Sequence, residues 1–204
     1  MSFKLGNVKK REQEQVFALG GRLLPDFKTW VIPDELQDIN GLAPWLPCEE
    51  GFIVQRPYFV LRAKCSCWKC GQETPVVALG ARRFQHLTYE TSDMPVWRRE
   101  EKPVLFTEVG YLDETISRSM QENYGFFRQL YLEEREIEEW GNCCVHCGSM
   151  QEANDDWRYD FRSPFNPQSV EEAREVRGVY FNLPFDYYIN AGDSYGTLWD
   201  EMIR

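Results

Sequence analysis

The amino-acid sequence predicts an α+β fold, in which a small N-terminal α/β module precedes a larger α+β domain. Two observations lead to this prediction. Segments with strand-like and helix-like patterns occur in both parts of the 204-residue chain. In addition, two CxxCG motifs, at residues 67–71 and 144–148, are typical of a metal-stabilised ribbon of strands. The chain is 43% hydrophobic and 15% aromatic, which is too apolar for a disordered protein.

Residues 1–47 are predicted to form the small module. A helix over residues 8–19 is expected to end at Gly20-Gly21, because glycine adopts the left-handed conformation that closes a helix. Two short strands are expected to follow around a Pro25-Asp26 turn. A further short helix is expected to open at Pro33.

Residues 48–204 are predicted to form the second domain, with a long insertion between its two cysteine motifs. The expected strands are residues 52–54, 58–61, 75–79 and 104–106, and the expected helices are residues 113–124 and 169–177. Ser169 is the expected cap of the last helix, because Glu172 stands at the capping-box position.

The seven cysteines indicate metal binding rather than disulfides. They are odd in number and mostly clustered, at positions 48, 65, 67, 70, 143, 144 and 147. The N-terminus carries Lys9, Lys10 and Arg11 without an apolar segment, which predicts no signal peptide and a cytoplasmic protein. No stretch is apolar enough to span a membrane. In a reducing compartment, clustered cysteines are more often metal ligands than disulfides.

The two CxxCG motifs predict one structural zinc ion per chain, bound by Cys67, Cys70, Cys144 and Cys147. A turn with two cysteines two residues apart points both sulfurs at one metal, and the following glycine lets the backbone approach them. The 73 residues between Cys70 and Cys144 exceed the roughly 15–20 of a compact ribbon. Because the entropy of loop closure rises only logarithmically with length, such an insertion is tolerated.

Other roles for the cysteines stay open at this point. Independent redox-active CxxC motifs are one alternative, and incidental buried thiols are another. Cys65 and Cys143 lie directly beside the predicted ligands, and we expect them to be spectators because the CxxCG spacing selects the other four. Cys48 is expected to be an ordinary buried thiol.

The N-terminal segment resembles a small bacterial domain of unknown function, which occurs beside conjugative primases and helicases. The similar residues are Ala18-Leu19-Gly20-Gly21-Arg22, Pro25, Lys28-Thr29-Trp30, Pro33 and Leu42-Ala43-Pro44-Trp45-Leu46-Pro47. The sequence departs from that pattern at Gly21, Leu23 and Val31. The resemblance implies a module boundary near Pro47 and no catalytic activity.

The cysteine motifs resemble those of bacterial hypothetical proteins that pair a serine-cysteine-tryptophan-lysine-cysteine-glycine motif with a distant cysteine-x-histidine-cysteine-glycine knuckle. The similar residues are 66–71, 74–79, 142–151 and 165–167, and the sequence departs from the pattern at Glu152-Ala153. This resemblance supports a split zinc-ribbon region and implies no assigned activity.

The uneven charge of the chain favours a basic protein partner. Of a net charge of −10, residues 111–204 contribute 8 basic and 19 acidic side chains. Such a segment repels a phosphate backbone and steers towards a basic protein surface, although it also serves solubility. Aromatic side chains interleave with carboxylates near the C-terminus, where we expect core packing or a binding surface. They are Tyr180, Phe181, Phe185, Tyr187, Tyr188, Tyr195 and Trp199.

The sequence predicts a protein that is not an enzyme. HExxH, GxSxG, P-loop and GxGxxG motifs are absent. Four thiolates close the coordination of zinc, whereas a catalytic zinc needs an open position. His146 is expected to lie exposed beside the metal, and His86 has no catalytic motif near it. The acidic residues 133–139 and Asp155-Asp156 are expected to form a solvated face, with a protein-binding patch as the alternative.

These observations favour a non-enzymatic, zinc-stabilised binding protein that engages a basic protein. One form of it is an immunity-type inhibitor that masks a bacterial toxin. The alternative is a nucleic-acid-associated accessory protein, for which basic side chains near the first cysteine motif would form the contact surface. These are Lys64, Lys69, Arg82-Arg83 and Arg98-Arg99. A redox or metal-handling enzyme is a further alternative.

Overall fold

The computed structural model describes residues 2–47, 50–89, 95–153, 163–196 and 198–203. The protein is predominantly β, with 46% strand and 19% helix. Most strands belong to one eight-stranded sheet, and all of its strand pairs are antiparallel. The prediction of an α+β fold is therefore wrong.

The N-terminal part forms a separate three-stranded antiparallel sheet in the order β1-β3-β2. Its strands are β1 (Ser2–Lys4), β2 (Arg22–Leu24) and β3 (Thr29–Pro33). Helix α1 (Gln13–Ala18) precedes Gly20, whose φ of 94° confirms the predicted glycine at its end. The helix expected at Pro33 is wrong, because β3 runs through Pro33 and a turn follows at Asp34-Glu35.

The small sheet shares a hydrophobic core with the larger one. Buried side chains from both parts pack together, namely Phe3, Leu5, Val16, Ile32, Ile39, Leu42, Trp45, Ile53 and Trp97. Asn40 adds a polar link, because its Oδ1 accepts from the Trp97 amide at 2.7 Å and its Nδ2 donates to the Trp97 carbonyl at 3.1 Å. The module boundary at residue 47 stays a prediction, and the parts on either side of it pack as one core.

The large sheet has the order β6-β5-β4-β11-β7-β9-β8, and β10 also pairs with β4. Its strands are β4 (Phe52–Ser66), β5 (Glu73–Tyr89), β6 (Pro95–Glu100), β7 (Val104–Leu112), β8 (Phe127–Leu132), β9 (Ile137–Asn142), β10 (Arg177–Phe181) and β11 (Tyr187–Ser194). Strand β8 lies at one end of this order.

Four of these strands close on one another. β4 pairs with β5 and β11, β7 pairs with β11, and β7 also meets β5 at Gly80↔Leu105 and Ala81↔Val104. Apolar side chains of these strands, together with two from the helix over residues 114–123, form the main core. They include Val54, Tyr58, Val60, Val77, Leu79, Phe84, Phe106, Ile116, Met120, Tyr187 and Ile189.

The strands are longer than the sequence predicts, and this explains the wrong fold class. Residues 52–54 and 58–61 belong to one strand of 15 residues, and residues 75–79 are part of a strand of 17. Residues 127–142 form an antiparallel hairpin, which was not predicted. Polar side chains such as those of Arg82 and Arg83 occupy these strands, so apolar runs mark only part of each one.

The helices of the second part are short. Helix α2 (Glu114–Asn123) confirms the helix predicted over residues 113–124, and Asp113 caps it by accepting from two amides of its first turn. Helix α3 (Val170–Ala173) is shorter than predicted, although Ser169 Oγ does accept from the Glu172 amide at 3.2 Å. Helix α4 is Trp199–Met202. Among the described residues, no helix has the length and apolar character needed to cross a membrane.

Candidate metal centre

The first CxxCG motif is the turn of the β4–β5 hairpin. The Cys67 amide donates to the Gln72 carbonyl, and the Gly71 amide donates to the Cys67 carbonyl, both at 2.9 Å. Gly71 has a φ of 72°, in the left-handed region that side chains disfavour. The glycine of the motif therefore closes a tight turn around its two cysteines.

The second motif follows β9 and has the same hydrogen bonds. The Cys144 amide donates to the Ser149 carbonyl and the Gly148 amide donates to the Cys144 carbonyl, both at 2.9 Å. Gly148 has a φ of 74°. An isolated antiparallel bridge between Cys143 and Met150 flanks this turn. The two motifs are therefore equivalent knuckles on two different hairpin-like turns.

The two knuckles face each other and bring four sulfurs together. Cys67 Sγ lies 3.7 Å from Cys147 Sγ, and Cys70 Sγ lies 3.7 Å from Cys144 Sγ. All four sulfurs lie within 4.8 Å of one another. Four thiolates at about 2.3 Å from a tetrahedral metal would be roughly 3.8 Å apart. The cluster therefore fits a metal ion, and each knuckle contributes one buried and one exposed cysteine.

Hydrogen bonds between the knuckles fix their relative position. Trp68 Nε1 donates to the Met150 carbonyl at 2.8 Å, and the Val145 amide donates to Thr74 Oγ1 at 3.1 Å. His146 Nε2 lies 3.0 Å from the Glu73 carbonyl oxygen. His146 is exposed and is not among the four clustered ligands, as the sequence predicts.

Gln151 and Asn142 form hydrogen bonds next to the metal centre. The buried Gln151 donates from Nε2 to the Ser149 carbonyl at 2.8 Å and lies 3.6 Å from Cys67 Sγ. Asn142 Oδ1 accepts from the Val77 amide at 2.7 Å, and its Nδ2 donates to the Val77 carbonyl at 2.9 Å. The Asn142 side chain thus replaces a rung of backbone pairing between β5 and β9.

The surroundings favour the thiolate at two of the four cysteines. Burial opposes ionisation of Cys67, but the amides of Cys70 and Lys69 outweigh it and lower the pKa of the Cys67 thiol to about 6. The hydroxyl and amide of Ser149 lower the pKa of Cys147. At Cys70 the Gln72 amide favours the thiolate, but burial and the neighbouring thiols raise the pKa to about 11. A bound cation would favour ionisation of all four thiols.

The remaining cysteines differ from these four. Burial raises the pKa of Cys65 to about 12 and also raises the pKa of Cys143. Both therefore favour the protonated form, and neither belongs to the cluster of possible ligands among the described residues. Cys48 lies outside the described residues.

The other residues named from the sequence lie in different environments. His86 stacks on Phe52 at 6.1 Å, with its Nε2 3.8 Å from Glu100 Oε1. Asp155 and Asp156 lie outside the described residues. Of the C-terminal aromatic residues, three are buried in the core and two are about half exposed. The buried ones are Phe185, Tyr187 and Trp199, and the exposed ones are Tyr180 and Tyr195. The aromatic tail therefore contributes mainly to packing.

Three of the basic side chains named in the sequence lie beside carboxylates. Arg82 contacts Asp200 at 2.8 Å, Lys64 contacts Glu73 at 2.7 Å, and Arg99 contacts Glu101 at 2.7 Å. Three of the cations expected to form a phosphate-binding patch thus already have acidic neighbours.

Two supporting residues were not identified from the sequence as part of the centre. Asn142 accepts a hydrogen bond from the Val77 amide, 65 positions away in the chain. Thr74 accepts one from the Val145 amide, 71 positions away. Their only sequence signal is proximity to a knuckle, since Asn142 precedes Cys143-Cys144 and Thr74 follows Gly71.

Comparisons with known proteins add no assignment. No family model, no curated protein and no solved structure matches the chain. The two resemblances drawn from the sequence motifs therefore stay predictions.

Proposed function

We propose that the four cysteines bind one structural zinc ion, and that the protein is a cytoplasmic, non-enzymatic binding protein for a basic protein partner. Zinc suits the centre because four thiolates in a tetrahedral arrangement are its usual closed structural site. Such a site leaves no position for a substrate. We therefore assign the metal to the support of the fold, and we look for function on the surface.

The observation that carries the binding proposal is the tip of the β8–β9 hairpin. Four glutamates there are exposed, at positions 133, 134, 136 and 138. Two large apolar side chains lie among them, Tyr131 at 58% exposure and Ile137 at 44%. We call these six residues the hairpin tip.

The four glutamates of the hairpin tip outnumber the one basic residue among them, Arg135. Arg135 Nη1 also lies 3.8 Å from Oε2 of the buried Glu139. Exposed aromatic and aliphatic side chains ringed by charges of one sign are typical of interfaces with an oppositely charged protein. The register pairs Tyr131 with Glu138 and Leu132 with Ile137, so each face of the hairpin presents one of the two exposed apolar side chains to a partner.

One concrete form of this function is an immunity-type inhibitor of a bacterial toxin that acts on nucleic acid and is therefore basic. This form rests on analogy with small acidic inhibitors. The nucleic-acid-associated alternative has less support, because Arg82, Lys64 and Arg99 lie against carboxylates.

Co-expression with the product of the neighbouring gene tests the proposal. We expect a stable complex on size-exclusion chromatography and weaker binding when Glu133, Glu134, Glu136 and Glu138 are all changed to Gln. The matched control changes four exposed glutamates elsewhere, namely Glu14, Glu122, Glu171 and Glu175, and should bind as the wild type does. Equal binding by both variants would exclude the hairpin tip. A shift of labelled duplex DNA at low salt, without a protein complex, would favour the alternative.

A further inference from the structure

A cavity of about 290 Å³ opens between β5 and β7, next to the metal centre. The two strands pair at Gly80↔Leu105 and Ala81↔Val104. Gly80 allows this close approach, because an added Cβ there would lie 2.7 Å from the Val104 carbonyl oxygen. Residues 77–79 of β5 and 105–109 of β7 line the cavity. The Asn142–Val77 hydrogen bonds join β5 to β9 at the cavity wall.

The interior of the cavity is apolar and its rim is polar. Buried side chains that line it include Leu79, Phe106, Val109, Phe127, Trp140 and Phe165. The Phe127 and Trp140 rings stack with centroids 6.0 Å apart. Thr107, Glu108 and Tyr195 are exposed lining residues at its mouth. A small ligand that enters would place an apolar body against aromatic rings and keep polar contacts at the mouth.

The lining includes two carboxyl groups, and burial raises the pKa of the Glu152 carboxyl to about 7. Glu108 and Glu152 both line the cavity, and the described lining residues include no lysine, arginine or histidine. Glu152 lies against β9, where its carboxylate accepts from the Asn142 amide at 2.8 Å and from Asn142 Nδ2 at 2.5 Å. A cation near the mouth, Lys102, lies 4.3 Å from the centroid of the Tyr195 ring. Its Nζ is also 3.4 Å from Glu100 Oε2, so this cation already has an acidic neighbour.

We propose that this cavity binds an organic cation, an ammonium or guanidinium group on a short apolar stem. The cation would lie between the Glu108 and Glu152 carboxylates, where a site partly shielded from water strengthens their attraction. Aromatic rings of the wall add attraction for a cation and contact area for the stem. A carboxylate ligand would be repelled, whereas a bound cation would favour the ionised form of Glu152, whose pKa burial raises.

The volume limits the size of the ligand. Ligand pockets usually span about 300–1,000 Å³, and this cavity lies at the lower end of that range. It suits a single alkyl amine or alkyl guanidine. A free amine can supply this chemistry, and so can the lysine or arginine side chain of a protein. The site is independent of the hairpin tip and of any partner bound there.

Titration calorimetry on the metal-loaded protein tests the site with ligands of one shape. Pentylamine and butylguanidine should bind, whereas 1-pentanol and pentanoate should bind at least about tenfold more weakly. Glu108→Gln and Glu152→Gln should each lower the affinity for pentylamine by about tenfold or more. Glu122→Gln, an exposed change on α2 away from the cavity, should leave it unchanged.

The outcomes separate the sources of the cation and allow the proposal to fail. Tighter binding of Nα-acetyl-lysine amide than of pentylamine would assign the site to a protein side chain, and the reverse order would assign it to a free amine. Equal affinity for pentanol and pentylamine would overturn the proposal. So would an unchanged affinity in Glu108→Gln, a variant at an exposed position whose folding is not in question.

Discussion

Asn142 allows the most direct test of how the two halves of the metal centre are held together. Replacing it by alanine removes three hydrogen bonds, to the Val77 amide at 2.7 Å, to the Val77 carbonyl at 2.9 Å and to Glu152 Oε1 at 2.5 Å. Val77 is 2% exposed, so its two backbone groups lose a partner inside the protein. Each buried group left without a partner costs about 1–3 kcal/mol.

We therefore expect Asn142→Ala to lose about 3 kcal/mol of unfolding free energy, since water in the adjacent cavity can replace part of the lost bonding. Urea unfolding of the metal-loaded protein measures this loss, with a metal assay on the same sample. Asn123→Ala is the matched control, because Asn123 is exposed at the end of α2 and its side chain bonds only to the Ser119 carbonyl among the contacts described. A loss below about 1 kcal/mol in Asn142→Ala would refute the reasoning.

Two further predictions concern a knuckle and a buried carboxyl. Gly71→Ala should lose about 1 kcal/mol and hold its metal less tightly in a competition with a chelator. Its φ is 72° and no atom lies within 4 Å of an added Cβ, so the cost comes from the backbone alone. Gly110→Ala has no such φ and should show no comparable loss; equal losses in the two variants would contradict this. Burial, and then the charge and hydrogen bond of Asp34, raise the pKa of Asp186 from 3.8 to about 7. The protonated carboxyl therefore stabilises the fold fully below about pH 4, and this stability is lost as the pH rises towards 7. Asp186→Asn should become more stable relative to the wild type over that window, by up to about 4 kcal/mol in urea unfolding. A constant difference between pH 4 and pH 7 would show that Asp186 has no raised pKa.

The cysteine centre could be predicted from the sequence because the geometry of each knuckle is local. Each knuckle is a five-residue turn, and Gly71 and Gly148 have the left-handed backbone that the CxxCG spacing requires. A closed zinc site needs four thiolates, which predicts that the two distant cysteine pairs lie together. The structure places their four sulfurs within 4.8 Å of one another.

The fold class could not be predicted in the same way, because the sheet depends on long-range pairing. Strand β5 pairs with β4, β6 and β7, and its outer positions carry polar side chains such as Arg82. A short apolar run marks only the part that is buried on both faces. The role of Asn142 was hidden for a related reason, since its partner Val77 lies 65 positions away.

Metal analysis of the purified protein tests the central claim, that one zinc ion joins the two knuckles through four thiolates. We predict one zinc per chain, with X-ray absorption showing four sulfur ligands at about 2.3 Å. Cys67→Ser and Cys144→Ser should each release the metal, whereas Cys65→Ser and Cys143→Ser should retain it. Iron in place of zinc, a metal content near zero, or release of the metal by Cys65→Ser or Cys143→Ser would contradict the account.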